Sequence, residues 1–244
     1  MTNEQNSKRS FTDALKYSFP VLLGYLAIGF AFGLLLVDAG YPWWLALVMS
    51  LVMYAGAGQY IAVGLFAAGA GLWEAVLVQL VVNARHMAYG LTMLKRFNAA
   101  GLYKYYLIFG LSDETFALLS SLEEEQDAEA RKIQSRFMFM VALLDQAYWV
   151  AGSVIGAVAG ALIPFNMEGI GFALTAMFVV LMTEQILRVK RPGPFIISAL
   201  AALLGVAFLP SRLSLLTALV IALGTTQLLT GNQSRAGQKE DGNG

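Results

Sequence analysis

Five ionisable residues stand in the middle of long apolar runs: Arg85, His86, Asp113, Glu114 and Asp145. A charge at a bilayer centre costs about 2.5–3.5 kcal/mol on insertion scales, so each must face a bundle interior or a wet cavity and find a partner. Arg85 is permanently cationic, and Asp113 is its natural counter-ion. Such a pair either fixes helix register or forms a substrate, ion or proton site. His86 is the one histidine in the chain. Its ordinary pKa of about 6.5 suits proton transfer, although a lone His is often a packing residue. A carboxyl group in a dry bundle can bind a proton near neutral pH. Arg85 opposes this in its close neighbour, so Asp113 is the salt-bridge partner. Glu114 and Asp145, with His86, are the proton-coupling candidates.

Helices must position these groups. A helix over 72–94 places Gln79, Asn83, His86 and Gly90 on one stripe, and Arg85 with Tyr89 on the next. The run 104–121 centres on Ser112-Asp113-Glu114-Thr115-Phe116 and reads as one helix. Adjacent residues on a helix point about 100° apart, so Asp113 turns inward and Glu114 meets a second helix. The run 137–162 carries Asp145 and a stripe of Gly152, Gly156 and Gly160 that seats a neighbouring helix. Gly29 and Gly33 form a similar small-residue face in the first run. The run 43–68 holds Tyr54-Ala55-Gly56-Ala57-Gly58-Gln59-Tyr60. Those glycines either admit a close helix contact or interrupt the helix, freeing backbone groups for substrate or ion.

Apolar residues make up 58% of the 244 and charged residues 13%, about half the charge of a soluble domain. Continuous apolar runs disfavour an alternating β-barrel and predict an all-α integral membrane bundle. Eight spans are expected, at 17–37, 43–68, 72–94, 104–121, 137–162, 170–187, 194–209 and 211–230. Seven result if the last two form one broken hairpin at Pro210. Residues 1–16 read as a cytoplasmic segment rather than a signal peptide, 17–230 as the transporter domain, and 231–244 as a disordered polar tail. With eight spans, eleven Lys and Arg fall on the side of the N-terminus. Four fall opposite: Lys95, Arg96, Lys104 and Arg212. Both termini are therefore expected in the cytoplasm. The acidic run 123–129 ahead of Arg131 reads as a solvated helix start, and Glu184 with Arg188 as a local pair.

Formal net charge is zero and Cys is absent, so nothing points to nucleic acid, a disulfide framework or a thiolate metal site. No H-E-x-x-H, G-x-S-x-G or P-loop lysine occurs, and no enzyme, metal or cofactor is expected.

Asn83-Ala84-Arg85-His86 with Tyr89-Gly90, Asp113-Glu114-Thr115-Phe116, and the Tyr54–Tyr60 stretch together resemble the AzlC family, from about Phe11 to Leu187. Ala84 stands where that family more often has a larger aliphatic residue. The resemblance implies the large subunit of a branched-chain amino acid exporter for Leu, Ile, Val and sometimes Met. It implies drive by the proton gradient and a small AzlD-type partner subunit in the bacterial inner membrane. A zwitterionic substrate would then meet Arg85, Asn83, Tyr54, Gly56, Gly58, Gln59 and Asp113, with Glu114, Asp145 and His86 coupling the proton. A passive channel for a small solute and a non-transporting assembly subunit fit the same residues.

Overall fold

The structure is a computed structural model that describes residues 10–163 and single helical positions between 179 and 207. Seven helices run through the described residues: α1 (Phe11–Asp38), α2 (Trp44–Val52), α3 (Gly56–Ala67), α4 (Leu72–Asn98), α5 (Tyr103–Phe109), α6 (Asp113–Ser120) and α7 (Ala128–Leu162). They lie in the first of two compact units, residues 1–175. The expected spans at 170–187, 194–209 and 211–230, the tail, and the Glu184–Arg188 pair lie outside the described residues.

α1 and α7 are long and apolar enough to cross a membrane. Only these two pass among the described residues, so the eight-span count stands unconfirmed. α4 has 27 residues, but Gln79, Asn83, Arg85 and His86 lower its apolar character. α1 starts at Phe11, earlier than expected, because Ser10 and Asp13 form a reciprocal capping box. α7 also starts early, where Asp127 accepts the backbone N–H groups of Glu129 and Ala130 at 2.9 and 3.0 Å. Those two donors, Ala130 first, hold the Asp127 carboxyl below the usual carboxylate range.

α1 packs along α7 at backbone distance. A Cβ on Gly29 would sit 3.0 Å from Trp149 O and Ser153 N, and one on Gly152 would sit 2.8 Å from Leu26 O. At Gly33 and Gly156 a Cβ would drive into Ser153 and Phe30 respectively. The two small-residue faces thus seat each other, trading side-chain volume for close dispersion contact. Tyr25, Phe32, Tyr60 and Trp149 fill the space beside them, with Tyr25 edge-on to Trp149 at 5.4 Å and Phe32 edge-on to Tyr60 at 5.7 Å.

Two of the expected continuous runs are each two helices. The run 43–68 breaks at Met53–Ala55, ahead of Gly56, and Tyr54 adopts φ +37°. A bulky residue there is strained, and surrounding structure must hold it. The run 104–121 breaks at Gly110–Ser112, so the single helix expected there is corrected to α5 and α6. Ser112 is extended and its hydroxyl caps Thr115 N–H at 3.1 Å, a local alternative that competes with helix continuation. The outer faces are apolar. On α4, Trp73, Leu77, Leu80, Met87 and Leu91 form one exposed stripe, and on α1 Phe11, Leu15, Phe19 and Leu23 are exposed. An apolar surface of this extent suits lipid rather than water.

Candidate functional site

The middle of α7 meets both breaks. Asp145, Gln146 and Trp149 share one face of that helix, and each reaches a different interrupted segment.

Gln146 and Trp149 serve the α2/α3 break. Gln146 Nε2 donates to Leu51 O at 3.2 Å and Ser50 O at 3.4 Å, satisfying carbonyls near the end of α2. Its Oε1 accepts from Tyr106 OH at 2.6 Å. Trp149 Nε1 donates to Gln59 Oε1 at 2.8 Å, and Gln59 Nε2 donates to Ser50 Oγ at 3.2 Å. Gln59 is fully buried, and both ends of its amide are taken by protein. From α4, Gln79 Nε2 donates to Gly58 O at 2.8 Å, and Asn83 Nδ2 donates to Gln79 Oε1 at 3.0 Å. Gly56 and Gly58 are needed for approach rather than flexibility. A Cβ on Gly56 would meet the Trp149 ring at 3.1 Å, and one on Gly58 would meet Gln79 Oε1 at 2.8 Å.

The α5/α6 break is charged. Asp113 and Glu114 occupy the first turn of α6, where the helix dipole favours anions. Asp113 Oδ2 pairs with Arg85 NH1 at 2.8 Å, and its Oδ1 accepts from Tyr89 OH at 2.7 Å. Tyr89 stacks on Phe116 at 4.4 Å, and His86 lies edge-on to Tyr89 at 6.0 Å. The ion pair is not sealed: the Arg85 and Asp113 side chains remain 32% and 26% exposed. Glu114 turns away from Arg85 toward α1, where Tyr25 OH lies 2.6 Å from its Oε2 and 2.6 Å from Ser112 Oγ. Ser112 Oγ contacts Thr115 Oγ1 at 2.9 Å, and Thr115 Oγ1 contacts Asp145 Oδ2 at 2.8 Å.

Four buried atoms here have no hydrogen-bond partner among the described residues: Arg85 Nε, Asn83 Oδ1, Asp145 Oδ1 and Tyr54 OH. A buried unpaired polar atom costs about 1–3 kcal/mol. All four gather around the two helix breaks.

The structure therefore draws Arg85, His86 and Asp113 into one group and links Glu114 to Asp145 through hydroxyls. Tyr54, Gly56, Gly58, Gln59 and Asn83 surround the other break. Sequence reasoning missed Tyr25, Ser112, Thr115, Gln146 and Trp149 as site residues. Ser112 carried a readable signal: a serine after Gly110 and ahead of two acids is a helix N-terminus signature. Tyr25 carried none.

Charge gathered at interrupted helices in an apolar bundle is a recurring feature of membrane transporters. The chain matches the family described as "AzlC protein" over residues 20–163, and it belongs to that family. It is 35% identical to the Bacillus subtilis "Branched-chain amino acid transport protein AzlC", over 78% of this chain and 75% of that one. A Helicobacter pylori "Uncharacterized membrane protein" is 38% identical over 87% and 92% of the two chains. The Escherichia coli "Inner membrane protein YgaZ" is 28% identical over 86% and 87%. No solved structure matches. AzlC proteins are membrane transporters and not enzymes.

Proposed function

We propose that this chain is the large subunit of a proton-coupled secondary transporter that exports Leu, Ile, Val and Met across the bacterial inner membrane. In this reading both termini are cytoplasmic and a small AzlD-type subunit completes the carrier. The observation that carries it is the Arg85–Asp113 pair, still part-exposed inside an otherwise apolar bundle. An amino acid zwitterion has the same two charges at similar separation and can bridge them. Its carboxylate would lie on the free Nε edge of Arg85, and its ammonium would meet Asp113 and the unpaired Asn83 Oδ1. Tyr54 and Phe116 would bound a pocket for the branched side chain. Gln59, Gly56 and Gly58 would hold that pocket's wall, and Glu114, Asp145 and His86 would serve the proton.

The test uses the full chain together with its AzlD-type partner in lipid vesicles, with labelled leucine moving under an imposed pH gradient. Leucine should compete with its own label. Its decarboxylated amine and its deaminated acid should each compete about tenfold or more weakly, because each lacks one charge-assisted hydrogen bond worth about 1.5–3 kcal/mol. Equal competition by all three compounds would refute a zwitterion site. Flux indifferent to the pH gradient would point to a passive channel.

A further inference from the structure

Glu114 and Asp145 are joined by an unbroken run of three hydroxyl groups. The oxygens stand in the order Glu114 Oε2, Tyr25 OH, Ser112 Oγ, Thr115 Oγ1, Asp145 Oδ2. The separations are 2.6, 2.6, 2.9 and 2.8 Å. Each is a hydrogen-bond distance, and two oxygens that close need a hydrogen between them. There are four links. The hydroxyls of Tyr25, Ser112 and Thr115 supply one hydrogen each. The fourth hydrogen can come only from a carboxyl group.

We infer that Glu114 and Asp145 share one proton through a Tyr25–Ser112–Thr115 relay, which carries it between the two acids. The inference deepens the exporter reading and rests on it for its transport role. In one order Glu114 is the acid: it donates to Tyr25, Tyr25 to Ser112, Ser112 to Thr115, and Thr115 to the Asp145 carboxylate. In the other order Asp145 is the acid and every donation reverses. Passing between them moves one proton along each of the four links. Each hydroxyl loses one O–H bond and gains one, and one net proton goes from Glu114 to Asp145.

Ser112 shows that both orders are chemically complete. Its oxygen also accepts Thr115 N–H at 3.1 Å. In either order it accepts two hydrogens and donates one, the full capacity of a hydroxyl. The ends differ as a relay requires. Glu114 is part-exposed, whereas Thr115 and Asp145 have no exposed surface and Tyr25 has 5%. A proton taken up at Glu114 is thereby delivered into the dry side of the site. There Asp145 Oδ1 and Tyr54 OH stand unpartnered among the described residues. The charged and titratable groups facing the relay are Asp113 and Arg85 at the Glu114 end, and Tyr54 and Tyr106 at the Asp145 end.

The test is infrared spectroscopy of the full chain in vesicles at neutral pH, reading the carbonyl band of a protonated carboxyl group. The parent should show one such band. Glu114→Gln and Asp145→Asn should each abolish it, because either amide supplies the fourth hydrogen and leaves the remaining acid ionised. Two independent acids would behave differently, and persistence of the band in either single variant overturns the relay. For transport, Thr115→Val should lower pH-gradient-driven net leucine flux about tenfold or more, as when a positioned proton donor is removed. Thr115→Ser, which keeps the hydroxyl, should restore net flux. Equal net flux in Thr115→Val and the parent would overturn the relay's transport role. If the infrared result holds and the parent's flux ignores the pH gradient, the shared proton stands and proton-coupled export falls.

Discussion

Two interrupted segments sit against the same helix and have opposite characters. The α2/α3 break is stitched by neutral amides: Gln146 holds the carbonyls near the end of α2, and Gln59 and Trp149 lock the start of α3. The α5/α6 break caps itself with Ser112 and places two carboxylates in the turn that follows. One is tied by protein on nearly every polar atom. The other holds an ion pair that remains accessible. Interrupting a helix inside a bilayer exposes backbone groups that must be satisfied either way. The difference lies in whether other helices satisfy the break, as at α2/α3, or whether the break leaves an ion pair part-exposed, as at α5/α6.

Both breaks depend on α7, so displacing it should produce the largest effect. Gly33→Val or Gly156→Val forces side-chain atoms into the facing backbone. Overpacking of this kind costs about 1–3 kcal/mol and sometimes more. Loss of folded protein on size-exclusion chromatography is the expected result. A variant as stable as the parent would show that the helices can part without cost.

The next change separates the breaks. Gln59→Leu strips partners from the buried Trp149 Nε1 and Ser50 Oγ, and each unpaired group costs about 1–3 kcal/mol. The melting temperature should fall while leucine affinity in the surviving protein stays near the parent's. Asp113→Asn should do the reverse, abolishing leucine binding with a smaller stability loss. The asparagine still accepts from Tyr89, and the exposed pair lies in a screened environment.

The smallest effect is a pH dependence at the α7 start. The folded Asp127 carboxyl titrates below its unfolded value. Its stabilisation is therefore complete above the unfolded pKa and is lost as pH falls through the folded one. Acid unfolding followed by circular dichroism should show a shallow stability loss below the carboxylate range. Asp127→Ala should flatten that slope.

Much of the charged break was legible because intramembrane charge is costly. Arg85 required a counter-ion, and Asp113 was the candidate at hand. Gly56 and Gly58 left close packing and interruption open as two readings of the first run, and the structure shows both there. The second break was hidden inside a run that satisfied the length of a single span, although Gly110 and Ser112 bracketed it. Tyr25 and Trp149 could not be placed, because one hydroxyl or indole in an apolar run leaves no periodic signal. Tyr25 meets Glu114 across 89 positions of sequence. Only the close α1–α7 packing puts Tyr25 where it does.

The most direct test of the division between scaffold and site is leucine binding to purified protein by isothermal titration calorimetry. Three forms would be compared: the parent, Gln59→Leu, and Arg85→Gln combined with Asp113→Asn. The double change removes both charges together and so leaves no lone buried ion. A Kd within about threefold of the parent is expected for Gln59→Leu, a difference under about 1 kcal/mol. No measurable binding is expected for the charge-neutral double variant. Parent-like leucine binding by the charge-neutral double variant would contradict that division, whatever Gln59→Leu does.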